Sequence, residues 1–535
     1  MNERTVRDAL QAMQAPSGTL AAMCGGEVLE MGDPLPPGAQ VTPITIADDE
    51  GRRIYERSLR FVMLLALRRL YPGQQVRIEY SVGQGVFVRL PGVQMDEARL
   101  GELERLMRQL AEEDLPFTRR QWTLKDAIRY FEQDGQSDKV ALLKCRPYDY
   151  FRMYECGGMW EYFYGAMAPS TGAVRVFGLT LHAPGFVLRL PRPDCPDQPA
   201  PYVDRPRHLA VFEQSARWCS ILGVVNAADV TALMRSGGMR NFIRVNEALH
   251  DSAIAGIAER IVAEGKRIVL VAGPSSSGKT TFTARLGIHL QVLGCRPVQI
   301  SLDDYYLDRD QIPLEPDGSV DLEHIRTLDI PLLQDHLARL LQGEEVEIPH
   351  FDFRVSKRAP QGHRVRLEPG HPVLVEGIHG LNPALSDRLP QEVIHRVFVS
   401  ALTCINLDDH NRIRTTDVRL LRRIVRDCRM RGSSPEETLA MWPSVRRGEE
   451  RWIFPWQETA DDVFNTALHY ELPVLRQSVS ALLEAVPPVA PGYVMARRLC
   501  KVLHYFPGMA PDIMEEIPPL SLLREFVGGS TLDKA

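Results

Sequence analysis

Nine cysteines in 535 residues are few and scattered, at Cys24, Cys145, Cys156, Cys195, Cys219, Cys295, Cys404, Cys428 and Cys500, with no Cys-x-x-Cys pair among them. Neither a disulfide framework nor a cysteine zinc site is indicated. Long apolar runs are missing too. The stretch from Phe61 to Leu67 falls far short of the roughly 20 residues that cross a bilayer. The opening Met1-Asn-Glu-Arg4 carries no basic segment leading into an apolar one, so no secretory signal is read and a cytoplasmic location is expected. Strong net charge is also absent. At −6 the chain has no general attraction for nucleic acid or anionic lipid, so no membrane partner is expected and nucleic acid could be met only through a local patch.

What is present is an ordinary globular composition, 44% hydrophobic and 25% charged, on a chain long enough for two to four domains. Its organising stretch is Arg267-Ile-Val-Leu-Val-Ala-Gly-Pro-Ser-Ser-Ser-Gly-Lys-Thr-Thr281, an apolar run feeding a Gly-x-x-x-x-Gly-Lys-Thr loop. Gly273, Ser275, Ser276, Ser277 and Gly278 let backbone N–H groups close around phosphates. Lys279 reaches the β and γ oxygens, the Thr280 hydroxyl can ligate Mg²⁺, and Thr281 completes the turn. Phe282 to Leu290 reads as a helix whose positive end faces the anion. A nucleoside triphosphate and Mg²⁺ are what this pattern calls for.

Two further apolar runs end in carboxylates. Pro297-Val-Gln-Ile-Ser-Leu-Asp-Asp-Tyr-Tyr306 delivers Asp303 and Asp304, either of which, at a strand end beside the γ-phosphate, could take the proton of an attacking hydroxyl. Pro372-Val-Leu-Val-Glu-Gly-Ile-His379 delivers Glu376, suited to hold a Mg²⁺ water. Each carboxylate alone would pass for a cap or a surface charge. Three strand ends, each delivering the expected group, point to a nucleotide site.

Residues 267 to about 475 resemble the uridine kinase and phosphoribulokinase family. The resemblance rests on the phosphate loop, Asp303-Asp-Tyr-Tyr306, Ile348-Pro-His-Phe-Asp-Phe353, Val375-Glu-Gly-Ile378 and Leu421-Arg-Arg-Ile-Val-Arg-Asp-Cys-Arg-Met-Arg-Gly432. It implies Asp303 as catalytic base, Lys279, Arg426 and Arg431 on the transferred phosphoryl group, and Thr280 with Glu376 at the metal. It also implies acceptor contacts from Glu323, Phe351, Asp352 and Arg423. Arginine suits a lid over phosphates because its planar fork binds oxygens in pairs and keeps its charge. The acceptor pocket departs from the uridine kinase pattern. Phe351 and Ser356 stand where that enzyme has Tyr and His at the base, Ser433 and Met441 replace a lid arginine and a glutamine, and Glu323 replaces an Asp on the ribose.

Residues 20 to 193 resemble the N-terminal and editing-type modules of threonyl-tRNA synthetases, through Ile54-Tyr-Glu-Arg-Ser-Leu-Arg-Phe61, Trp122-Thr-Leu-Lys-Asp-Ala127 with Phe131, Lys139-Val-Ala-Leu-Leu143 and Met153-Tyr-Glu-Cys-Gly-Gly-Met-Trp160. The metal-site histidines of those enzymes correspond to Arg57, Phe61 and Trp160, and only Cys156 is kept. Hydrolysis of aminoacyl-tRNA is therefore not expected.

The expected architecture is an α/β phosphate-loop kinase domain with a parallel sheet behind an α+β synthetase-like module. Its divisions are a small β-rich ubiquitin-like (TGS-type) unit at 1–50, an editing-like α+β domain at 51–195, a proline-rich linker and helical connector at 196–265, the kinase at 266–478 and an accessory segment at 479–535. Helices are expected over 55–71, 97–113 and 243–264, strands over 76–80 and 86–90, and an extended proline-rich connection over 190–207. The expected activity is ATP- and Mg²⁺-dependent phosphorylation of a hydroxyl on a small molecule, with a nucleoside as the leading acceptor. The alternatives are a sugar phosphate of the ribulose phosphate kind, or an RNA-binding regulator using ATP as a switch. A homo-oligomer is compatible with this reading.

Overall fold

The structure is a computed structural model that describes residues 4–146, 148–312, 321, 323–352, 355, 357–403 and 405–532. Among them no helix is long and apolar enough to cross a membrane.

The N-terminal half is built around helix α1, Asp49–Leu70, six residues longer at its start than the periodicity predicts. Strands Arg77–Val82 and Gly85–Arg89 pair antiparallel and are joined by Gly185–Arg189 and Gly178–His182 into a four-stranded sheet. A second sheet joins Thr118–Thr123, Tyr150–Cys156 and Met159–Glu161. Helix Glu97–Glu112 lies where its leucines, Leu100, Leu103 and Leu110, repeat at helical spacing, and all three are buried. The first 50 residues form a three-stranded antiparallel sheet over 21–24, 27–29 and 42–44. They also contain a helix that their weak periodicity does not suggest, Val6–Ala12, started by a Thr5/Asp8 capping box.

The stretch 190–207 is not an extended spacer. Pro191–Arg192 pairs with Cys195–Pro199 in a short hairpin, with Arg192 clasping Asp194 across its turn. Pro206 then takes the first position of helix Pro206–Leu222, where its missing N–H costs nothing. That helix wedges between the halves: Phe212 stacks on Tyr80 of the N-terminal sheet at 4.0 Å between ring centroids and also packs with Leu402 of the C-terminal half. Helix α2, Met239–Ala263, leads into the first strand of the C-terminal half.

That half holds a five-stranded parallel sheet: β1 Ile268–Ala272, β2 Val298–Ser301, β3 Val373–Glu376, β4 Ile394–Ser400 and β5 Asp462–Asn465, in the order β2-β3-β1-β4-β5. β1 is unbroken apolar sequence because both its faces are covered. Ile268 and Leu270 face one core with Ile300, Leu333 and Leu337, while Val269 and Val271 face another with Ile257, Phe282 and Leu286. Helix α3, Lys279–Val292, follows the loop after β1. Helix α4, Thr415–Arg426, and helix α5, Pro435–Gly448, cover the carboxyl edge. A further core joins Val224 and Phe242 of the connector, Leu420 and Ile424 of α4, and Leu503, Leu523 and Phe526 near the C-terminus in one cluster.

Between β4 and α4 the stretch 405–414 reaches back into the N-terminal half. Lys139 Nζ lies 2.9 Å from Glu161 and 3.1 Å from Asp408, and His410 Nδ1 lies 2.8 Å from Glu161. The Asp409 carbonyl accepts from Ile78 N at 2.8 Å, and Asn411 Nδ2 donates to the Tyr162 carbonyl at 3.0 Å. Burial lowers the Lys139 pKa, but Asp408 and Glu161 outweigh it and hold its ammonium above the usual range.

Candidate active site

The loop after β1 is shaped for an anion. Ser276 has φ 57° and Gly278 φ 87°, left-handed conformations that curl the backbone N–H groups inward. Gly273 tolerates no side chain, since a Cβ there would stand 2.0 Å from the Val399 carbonyl. The buried Ser276 and Ser277 hydroxyls have no hydrogen-bond partner among the described residues. Such groups are costly to leave unpaired, and a bound phosphate would satisfy them. Lys279, at the start of α3, turns its Nζ to the Pro274 carbonyl at 3.3 Å, and burial lowers its pKa against the pull of Glu376, Asp303 and Glu525.

Three strand ends converge here. Parallel register sets Glu376 opposite Val271 on one side and Ser301 on the other. Its Oε1 accepts from Thr280 Oγ1 and Ser301 Oγ, both at 3.3 Å. Burial raises its pKa to about 7, helped by Asp303 and Glu525 and opposed by Lys279. Thr280 and Glu376 thus form a hydroxyl and carboxylate pair beside the lysine, a donor set of oxygens that fits Mg²⁺.

Asp303 and Asp304 do not end an extended strand. The chain closes into one tight helical turn, Leu302–Tyr305, capped by Ser301 Oγ accepting from Asp303 N. The turn separates the two carboxylates. Asp303 keeps contact with solvent while its surroundings raise its pKa through desolvation, against the pull of Lys279 and Arg431. Asp304 instead accepts from Phe351 N at 3.3 Å and lies 3.2 Å from His350 Nδ1, so it ties down the neighbouring wall.

The arginines of α4 divide. Arg419 makes a fully buried two-pronged contact with Glu449, at 2.8 and 2.6 Å, and Arg422 donates to Glu471 and to the Thr466 carbonyl. Arg423 reaches the phosphate loop, donating to Ser275 Oγ at 2.8 Å. Arg426 and Arg431 turn to Asp427, at 2.9 and 3.7 Å, on a wider π-type turn, Asp427–Arg431, that ends at Gly432. Both still bear on Asp303 electrostatically.

On the acceptor side, Phe351 packs its ring 5.7 Å from Tyr306, and Asp352 pairs in a two-residue ladder with Lys357. Glu323 lies against Gly448, where a Cβ would come within 2.4 Å of it. Burial and Glu449 push its pKa up to about 7, against Arg423. Next to it Asp321 accepts from Trp452 Nε1 at 3.1 Å, and the His324 and Trp452 rings lie 4.2 Å apart. Ser433 N donates to the Asp427 carbonyl, Met441 is exposed, and Ser356 lies outside the described residues.

Two site residues escaped the sequence reading. Glu449 accepts from Ser275 N at 3.1 Å, and Glu525 accepts from Thr281 Oγ1 at 2.7 Å. Neither belongs to a motif, and both come from segments remote from the loop in sequence.

A parallel sheet carrying a phosphate loop, a carboxylate at each neighbouring strand end and an arginine helix across the edge defines a phosphate-loop phosphotransferase. Residues 268–471 match the phosphoribulokinase / uridine kinase family. The chain is 34% identical over 197 residues to a uridine kinase of Deinococcus deserti, spanning 36% of this chain and 84% of that protein. It is 31% identical over 227 residues to a uridine kinase of Chloroflexus aurantiacus, spanning 41% and 97%, and 32% identical over 200 residues to one of Halalkalibacterium halodurans, spanning 37% and 85%. The chain belongs to the phosphoribulokinase / uridine kinase family of phosphate-loop kinases, which use ATP with Mg²⁺ as the phosphoryl donor.

Proposed function

We propose that this protein transfers the γ-phosphoryl group of ATP to a hydroxyl of a nucleoside. The observation that carries the reading is Asp303, a solvent-reached carboxylate of raised pKa that feels both Lys279 and Arg431 at the mouth of the phosphate loop. The loop N–H groups, Ser275, Ser276 and Ser277, Lys279 and Thr281 hold the nucleotide, while Thr280 and Glu376 hold the metal. A Mg²⁺ ion held there would supply charge neutralisation for the bound phosphates. Asp303 accepts the proton of the acceptor hydroxyl, and Arg423, Arg426 and Arg431 stabilise the phosphoryl oxygens, so that catalysis is positioning and electrostatics. Arg426 and Arg431 would exchange Asp427 for those oxygens. Glu323, Phe351 and Asp352 line the acceptor.

One observation favours a second acceptor class, a sugar phosphate. Phe351 offers no side-chain polar group and Met441 stands exposed, so two positions that would read a base cannot do so by hydrogen bonds. Buried polar partners discriminate by factors on the order of 10⁴, and their replacement shifts preference. ADP production by the full chain against a panel of nucleosides, sugars, sugar phosphates and pantothenate-like alcohols tests the reading. Stimulation by nucleosides supports it, stimulation by sugar phosphates alone transfers it to the second class, and none by any acceptor contradicts both.

The N-terminal half is, in this proposal, a threonyl-tRNA synthetase-like scaffold without hydrolytic chemistry, divided at about residues 50 and 195, working with the kinase in the cytoplasm and needing no nucleic acid. Supporting this, Arg57 spends its guanidinium on the Ala166 and Tyr164 carbonyls and on Glu50. Phe61 packs on Phe117 at 5.3 Å, and Trp160 on Trp122 at 4.9 Å. No imidazole remains at these positions to bind metal or move protons. Metal analysis of the purified chain is expected to find no tightly bound zinc; one zinc per chain would contradict this.

A further inference from the structure

The C-terminal segment ends against the phosphate loop. Leu522 is wholly buried there, and a Cβ on Gly278 would stand 2.9 Å from its Cδ2. Three residues on, Glu525 takes the hydrogen bond of the Thr281 hydroxyl. Thr281 lies in the first turn of α3, where the N–H groups and dipole of a phosphate loop hold the α- and β-phosphates. Thr281 is itself only 3% exposed, so a phosphate cannot reach its hydroxyl while Glu525 lies on it.

The two carboxylates at this loop are held differently. Glu449 is gripped by Arg419 and by Arg446 at 2.7 Å and has no freedom to leave. Glu525 is half-buried, and among the described residues its side chain has the Thr281 hydroxyl as its one hydrogen-bond partner and no paired cation. Its charge nevertheless reaches the site, opposing the burial that lowers the Lys279 pKa and adding to the burial that raises that of Glu376. Leu523 and Phe526 are fully buried, so the backbone on either side is anchored, and a rotation of the Glu525 side chain suffices to clear the turn.

We propose that Glu525 is an intramolecular competitor of the nucleotide: its carboxylate takes the phosphate end of α3, and ATP binds by displacing it. The proposal rests on reading Gly273 to Thr281 as the ATP site. One helix terminus and one lysine stabilise a single anion best, so the free energy Glu525 draws from them is subtracted from the affinity for ATP.

The test is calorimetric titration of ATP, ADP and adenosine into the full chain and its Glu525→Gln and Glu525→Ala variants, each first shown to unfold at a midpoint near the parent's. Expected is a gain of roughly 2- to 30-fold in ATP and ADP affinity, the range an anion at a helix N-terminus is worth, with adenosine unchanged. The gain should shrink in high salt. Should Glu525→Gln misfold, Glu525→Ala carries the same comparison. Unchanged or weaker ATP binding in a folded variant overturns the proposal alone, whereas a parent chain that binds no ATP overturns it together with the nucleotide site.

Discussion

At the residue scale the site is a balance of carboxylates around one lysine. Glu323 and Glu376 both keep their protons to about 7, well above the ordinary glutamate value of 4.5, chiefly because burial penalises the charged form. Between those two values the folded chain holds protons that the unfolded chain has released. Stability therefore falls as pH rises through this window. Thermal midpoints of the nucleotide-free protein from pH 5 to 8 should drop more steeply than those of a Glu323→Gln, Glu376→Gln double variant, and equal slopes would contradict the assignment. Much of this scale was legible. The loop residues, Asp303 and Glu376 stand out because phosphate and metal chemistry demand fixed residue types at strand ends. Strand ends alone left Asp303 and Asp304 both open, and the choice of Asp303 came from the family resemblance. The expectation of an extended strand fails because Ser301 caps a helical turn, a local hydrogen bond that periodicity does not report.

At the scale of elements, α4 shows where motif reading stops. Its arginines look equivalent in sequence, yet Arg419 and Arg422 are consumed by Glu449 and Glu471, 30 and 49 residues away in the chain. Only a packed fold brings such partners together. The proline-rich stretch 190–207 misled for a related reason: prolines permit an extended spacer but equally tolerate a two-stranded hairpin and a helix start. The stretch 405–414 carries no motif at all. It is nevertheless a polar link between the halves, and it runs directly into α4. Lys139, 2% exposed, neutralises Glu161 and Asp408, which are no more than 1% exposed. Lys139→Met would leave those carboxylates without their shared cation, a loss of about 3–5 kcal/mol in a buried cluster. Denaturant unfolding should show an earlier transition of that order. A variant as stable as the parent would mean the cluster contributes nothing net.

On the scale of the whole molecule, two halves share cores and a wedge helix. Phe212 stacks on Tyr80 of one half and packs near Leu402 of the other, and the cluster holding Leu142 of the N-terminal half also holds Ile405, Leu420 and Phe526. The kinase half was visible because its motifs are short and tied to chemistry. The N-terminal half carries no comparably short motif tied to chemistry, so its role could not be read. The C-terminal segment gave no sign of reaching the phosphate loop. It read only as an accessory segment beside the kinase.

The account turns on Asp303 as the base of an ATP-dependent transfer to an acceptor hydroxyl, and single-turnover phosphorylation under saturating ATP and Mg²⁺ tests it most directly. A positioned base contributes about 10²- to 10⁴-fold, so Asp303→Asn should slow the chemical step by that order and leave ATP affinity nearly unchanged. Asp304→Asn, which loosens the Phe351 wall, should weaken acceptor binding more than it slows the step. A near-normal rate in Asp303→Asn, with the large loss in Asp304→Asn instead, would contradict the account.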